Sequence, residues 1–259
     1  MDPVTLKLAK NYTDDEVLPK DLTGQASGDY IRNDAGVWKP LTLNEVLRDI
    51  YSKYIILDIP LLTFNETTSA TGSADTPVVT AQRVYLRTRS TANSETYAQT
   101  SDRMTISTGT TTTRMNWSKY NQMAIKLHNR GMLAGANAQR WFIWGIPAGA
   151  AFGDPTDKCI GFRVDGTAIK GICHNGSALV VEDLATTINE WDGWGLNVVS
   201  HGDGNIDWYI NGVLKASSAV GPTGTPTTHA GAFRLALGNG ASAGDNAMET
   251  NNLTVVAEQ

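Results

Sequence analysis

Glu190 and Asp192 stand two residues apart, so a strand through them would turn both carboxylates to one side. Two carboxyl groups flanking a scissile bond are what glycoside hydrolysis requires, one as acid and one as nucleophile. Gly193 and Gly195 follow at once and favour a turn over a regular strand. The four histidines, His128, His174, His201 and His229, are dispersed without H-x-x-H or H-E-x-x-H spacing, and none is read as a metal ligand. No G-x-x-x-x-G-K-S/T phosphate loop occurs. The expectation is a chain with no catalytic residues.

Hard oxygen donors cluster three times, as Asp154 with Asp157, Asp203 with Asn205, and Asp245 with Asn246. Carboxylates and amide oxygens in glycine-rich turns suit calcium, but Asp and Asn are also good turn formers for local reasons. The turn reading is adopted, so no cofactor is expected, with calcium as the alternative. Seven tryptophans bear on binding, because an indole face stacks on the apolar face of a sugar. Trp191 and Trp194 flank a glycine turn and, with Asp203 and Asn205, form the candidate glycan-binding set. Trp141 and Trp144, three apart in one apolar segment, must point to opposite faces of a strand, so at most one enters a two-layer core.

Composition limits the partners. The 259 residues are 41% hydrophobic and 18% charged with a net charge of −5, enough to bury a core and lacking the basic footprint of a duplex-binding protein. No nucleic acid is expected. No apolar run approaches the ~20 residues of a membrane-spanning helix, and no membrane contact is expected. The opening MDPVTLKLAKNYTDDE lacks the ordered regions of a secretory signal, which points to folding in the cytosol. Cys159 and Cys173 fit no zinc spacing and read as buried free thiols, or as one disulfide across a hairpin.

The elements that must position these groups change character along the chain. Residues 1–40 show no sustained period and read as an extended arm. Thr42 and Glu45 then form a capping box, and Leu43, Val46, Leu47, Ile50 and Tyr54 follow on one helical face. The 43, 47, 50, 54 step is that of a coiled-coil seam, so the helix either packs on its own domain or bundles with two or three copies. Beyond it, 16 of the 51 residues from Thr63 to Thr113 are threonine, which disfavours helix. Short apolar segments bounded by turn formers recur to the end, for example Trp141 to Ile146, Ile160 to Val164 and Phe233 to Leu237. That pattern is a β-sandwich. Asn211-Gly212 between two apolar runs predicts a type I′ hairpin pairing Ile210 with Val213 and Tyr209 with Leu214. Apolar residues on both its faces predict a central strand pair.

The stretch Trp194-Gly195-Leu196-Asn197-Val198-Val199-Ser200, with Asp207-Trp208-Tyr209-Ile210-Asn211-Gly212-Val213-Leu214 and the later Phe233-Arg234-Leu235-Ala236-Leu237-Gly238-Asn239, resembles the concanavalin A-like (laminin G-like) superfamily. The resemblance implies an all-β jelly roll of two antiparallel sheets over 55–259, often a glycan or protein binder. Fold alone does not choose among these. Hydrolases of that superfamily carry E-x-D-x-x-E, and here Gly195 stands at the third acid of the nearest match. The opening Val4-Thr5-Leu6-Lys7-Leu8-Ala9-Lys10-Asn11-Tyr12-Thr13-Asp14 resembles bacteriophage proteins encoded near head and tail fibre genes. It implies residues 1–54 as docking arm and oligomerisation helix. The partners so implied are two further copies in a homotrimer, other virion proteins through 1–40, and a host-surface glycan. A free-standing lectin is the alternative, and a glycoside hydrolase a remoter one.

Overall fold

The computed structural model describes residues 30–34, 37–41, 54–65, 67–100, 106–108, 111–113, 116–119, 121–128, 138–146, 153–188, 193–224, 232–241 and 244–258. The chain divides into Met1–Ile56 with Glu258–Gln259, and Leu57–Ala257. In the first unit β1 (Tyr30–Asp34) and β2 (Val37–Leu41) form an antiparallel hairpin with Asp34 opposite Val37. The sequence predicts only an extended arm there. Neither strand alternates apolar with polar residues, so its period is silent. Tyr54, expected to close the helical seam, instead opens β3 (Tyr54–Asp58), where Ile55 and Ile56 suit a strand. Leu43, Val46, Leu47 and Ile50 lie outside the described residues.

The second unit continues with a 3-10 turn (Leu61–Asn65), β4 (Thr67–Thr71), β5 (Val78–Val79), β6 (Val84–Thr88) and β7 (Glu95–Gln99). A small hairpin of β8 (Ile106–Thr108) and β9 (Thr111–Thr113) precedes β10 (Asn121–His128), β11 (Gln139–Ile146), β12 (Cys159–Asp165) and β13 (Ala168–His174). Next come β14 (Leu179–Thr187), β15 (Gly193–Ser200), β16 (Ile206–Ile210), β17 (Val213–Ser218), β18 (Ala232–Gly238) and β19 (Asn246–Glu258). Two antiparallel sheets result, ordered β17-β16-β15-β10-β19-β6-β5 and β14-β13-β12-β11-β18-β7-β4. The segments Trp141 to Ile146, Ile160 to Val164 and Phe233 to Leu237 lie in β11, β12 and β18, which are buried almost throughout, as strands covered on both faces are. β6 alternates instead: Val84, Leu86 and Thr88 are buried while Tyr85 and Arg87 between them are not.

The core fills the space between the inner faces with Phe142, Trp144, Ile160, Phe162, Trp208, Phe233, Leu235 and Val255 among others. Trp144 stacks on Phe233 with centroids 5.3 Å apart, and Trp117 tilts against it at 5.3 Å. Trp141 belongs to a second cluster with Ile143, Cys159, Ile172 and Ala236, on the opposite face of the same sheet. Its indole donates to Asp154 at 3.1 Å. The expected split of Trp141 from Trp144 is thus met, and both are buried.

Cys159 and Cys173 are free and buried. The register sets Cys159 opposite His174 and Cys173 opposite Ile160, so the two thiols stand on opposite faces and join different clusters. Burial pushes the Cys173 thiol up to about 12 and the Cys159 thiol well above its usual range, which makes both poor nucleophiles.

The Asn211-Gly212 turn forms as expected, with φ of 50° and 79°, and pairs Ile210 with Val213 and Tyr209 with Leu214. The central position expected for this hairpin is not found. β17 is the edge of its sheet, and Val213 and Leu214 are 58% and 50% exposed. Apolar residues at a hairpin tip overhang the sheet, so their composition does not require a strand on the other side.

Candidate functional site

The candidate site is built where β15, β16 and β17 end together. Ile206, Trp208 and Ile210 face the core, which turns Asp207 and Tyr209 to the outer face of the sheet. A register shift between Trp208 and Tyr209 brings Ser217 opposite Asp207. The Ser217 hydroxyl donates to Asp207 Oδ1 at 2.5 Å, and the Tyr209 hydroxyl donates to Oδ2 at 3.1 Å. His201 Nε2 lies 2.9 Å from the same Oδ2. Burial would push the Asp207 carboxyl up, but the Ser217 and His201 contacts outweigh it and hold the group below the usual carboxylate range.

The loop from β15 to β16 supplies the other wall. Asn205 donates its backbone N–H to Asp203 Oδ1 at 2.8 Å and its side-chain amide to Oδ2 at 2.6 Å. Those two bonds, the backbone one first, lower the Asp203 carboxyl as well. The His201 N–H to Asn205 carbonyl bond, 3.0 Å, closes the loop. Gly202 makes the tight turn possible: its φ is +86°, and a Cβ there would sit 2.7 Å from the Ser118 carbonyl oxygen. Together His201, Asp203, Asn205, Asp207, Ser217, Ser218 and Ala219 line an open groove of about 660 Å³.

Ser217 and His201 converge on the two oxygens of the Asp207 carboxylate, which fixes that group in the groove. Fixed carboxylates, an amide and hydroxyls are the groups that hold a polyol by hydrogen bonds.

Of the four residues in the candidate glycan set, Asp203 and Asn205 meet in this groove. Trp194 does not. It is half-buried against the inter-sheet core at the opposite end of β15, the ordinary packing of a large aromatic. Trp191, with Glu190 and Asp192, lies outside the described residues. His201, Asp207, Tyr209 and Ser217 were missed. Asp207 and Tyr209 had a signal, being polar alternates in a strand that buries Ile206, Trp208 and Ile210, but Ser217 had none.

The remaining oxygen clusters have structural uses. Asp154 pairs with Arg163 at 2.9 Å, and Asp245 with Arg87 at 2.5 Å. The Arg87 guanidinium holds the Asp245 carboxyl below its usual range. Gly240-Ala241-Ser242-Ala243-Gly244 reads as G-x-S-x-G and falls between β18 and β19, strands of different sheets, whereas a nucleophile elbow needs a strand leading into a helix.

Neither a family model nor a curated protein sequence matches the chain. Among solved structures, it is similar to a protein of unknown function from Shewanella oneidensis MR-1, at 12% identity and TM-score 0.51 over 84% of this chain and 95% of that one. It is also similar to the carbohydrate recognition domain of Emp47p, at 13% identity and TM-score 0.50 over 79% of this chain and 96% of that one. Identities this low speak to architecture alone. The body of the chain is a concanavalin A-like jelly-roll sandwich of two antiparallel sheets.

Proposed function

We propose that this protein is a non-enzymatic carbohydrate-binding component of a bacteriophage virion, a head fibre, capsid decoration or tail-fibre element that displays its sandwich to the host surface. One observation carries the reading: a polar groove at the sheet end whose carboxylates are already oriented by His201, Tyr209, Ser217 and Asn205. Pre-set acceptors lose little freedom on binding, which is how a shallow site gains usable affinity. The groove volume falls in the range of small-ligand sites.

The virion part rests on the resemblance of residues 4–14 and on the division of the chain near Ile56. Residues 1–40 dock on the particle, and the seam of Leu43, Val46, Leu47 and Ile50 gathers three copies. Threefold display then multiplies a feeble single-site affinity.

A glycan array probed with the full chain tests the reading. Bound glycans are expected, and Asp207→Ala is expected to abolish the signal while leaving the protein folded by circular dichroism. A blank array, or binding that survives the substitution, would remove the groove from the account. Light scattering on the same preparations reads the assembly. The expected trimer splits on Leu47→Asp, whereas a wild-type monomer at high concentration would favour a free-standing lectin.

A further inference from the structure

We infer that the groove selects a sugar bearing a free amine, an ammonium at neutral pH, over neutral and acidic sugars. The inference deepens the carbohydrate-binding reading above and rests on it.

The lining carries two carboxylates, Asp203 and Asp207, and among its described residues neither arginine nor lysine. His201 is the one lining side chain able to hold a positive charge, and it is already set against Asp207 Oδ2 at 2.9 Å. Both carboxylates are ionised at neutral pH, since the bonds from Asn205 to Asp203 and from Ser217 and His201 to Asp207 favour the charged form. An acidic sugar would bring a third negative charge into this space. Repulsion opposes it.

Acceptor capacity points the same way. A carboxylate offers about four acceptor positions. Asp207 accepts from Ser217, Tyr209 and His201, which leaves it little more to give. Asp203 is exposed, and its carboxylate receives the backbone and side-chain N–H groups of Asn205, one on each oxygen, and its own backbone N–H. An acceptor position therefore stays open toward solvent, held in place by the loop. An ammonium donates to such an oxygen through a charge-assisted bond, roughly twice as strong as the neutral bond a sugar hydroxyl makes. The exposed position of Asp203 lets water screen the charge, so the selectivity is moderate.

Isothermal titration of the full chain with three oligosaccharides of equal length separates the cases: a glucosamine tetramer, its N-acetylated counterpart and a uronic acid tetramer. The glucosamine tetramer is expected to bind about tenfold more tightly than the N-acetylated one, with no measurable binding of the uronate. Asp203→Asn is expected to bring the first down to the second. Asp183→Asn removes the same charge from an exposed site on β14 and is expected to change nothing. Equal loss in Asp183→Asn would make the effect one of bulk charge and overturn the inference. Tighter binding of the neutral or acidic tetramer, still weakened by Asp207→Ala, would overturn it while leaving the carbohydrate reading in place. No binding of any tetramer, with a blank array, overturns both.

Discussion

Trp208→Ala is expected to destabilise the sandwich by about 3–5 kcal/mol, the range for deleting a large aromatic from a core. Trp208 is fully buried on β16, and its indole N–H donates across the sandwich to the Gly161 carbonyl of β12 at 3.0 Å. The ring lies over Gly171 of β13, where a Cβ would come within 2.5 Å of it. One side chain thus fills the gap between the sheets and ties one to the other. Truncation leaves a cavity and strips the Gly161 carbonyl of that donor. Guanidinium denaturation should show the loss as a lower midpoint with little change in slope. Gly171→Ala should also destabilise the wild type, because the methyl meets the indole in a core that cannot expand. In the Trp208→Ala background the same methyl enters the vacated space, so its cost should shrink or reverse. Strictly additive losses would mean that the two residues do not share this space.

Asn239→Ala should come close to that effect for a different reason, with a loss of about 3 kcal/mol or more from stranded buried polar groups. The Asn239 side chain is 1% exposed just beyond β18. The two N–H groups of its amide are shared among the carbonyls of Arg89, Thr91 and Gly244, which lie 2.5, 3.0 and 2.8 Å from the nitrogen. Its oxygen accepts from the Thr88 hydroxyl and from Asn246 Nδ2. This one residue therefore fastens the loop after β6 to the loop before β19. Asn239→Asp keeps the shape but replaces the donor with an oxygen facing three carbonyls. It should be at least as damaging as alanine, and thermal melting of both variants decides the point. A benign aspartate would show that shape, not donation, is what the site needs.

Residues that act through local chemistry were legible before any fold was known. Asn211-Gly212 announces its hairpin because a two-residue turn of that hand needs positive φ twice. Trp141 and Trp144 had to part because side chains alternate along a strand, whereas only the register of β12 with β13 showed that Cys159 and Cys173 do not meet. The strands themselves follow from apolar segments bounded by turn formers, and the similarity of 194–239 to the concanavalin A-like superfamily named their architecture correctly. The hairpin of β1 and β2 escaped notice because its residues carry no alternation.

The groove was less legible. Asp203 and Asn205 stand out together as oxygen donors in one glycine-rich turn, and Trp194 joins them because it flanks a glycine turn and aromatic faces bind sugars. An unbroken hairpin would have set Asp207 opposite Ala216. The extra residue at the Trp208–Tyr209 bulge moves Ser217 into that place instead.

Sequence by itself determined the strand segments, the Asn-Gly turn, the parting of Trp141 from Trp144 and a net charge of −5, since each depends on neighbours in the chain or on composition. Tertiary structure alone decided that β17 is an edge, that Gly171 makes room for Trp208, and that Asp207 meets Ser217 and His201. These depend on strand order and on a one-residue shift in pairing. Many registers satisfy the same alternation, and only packing the two sheets against each other selects one.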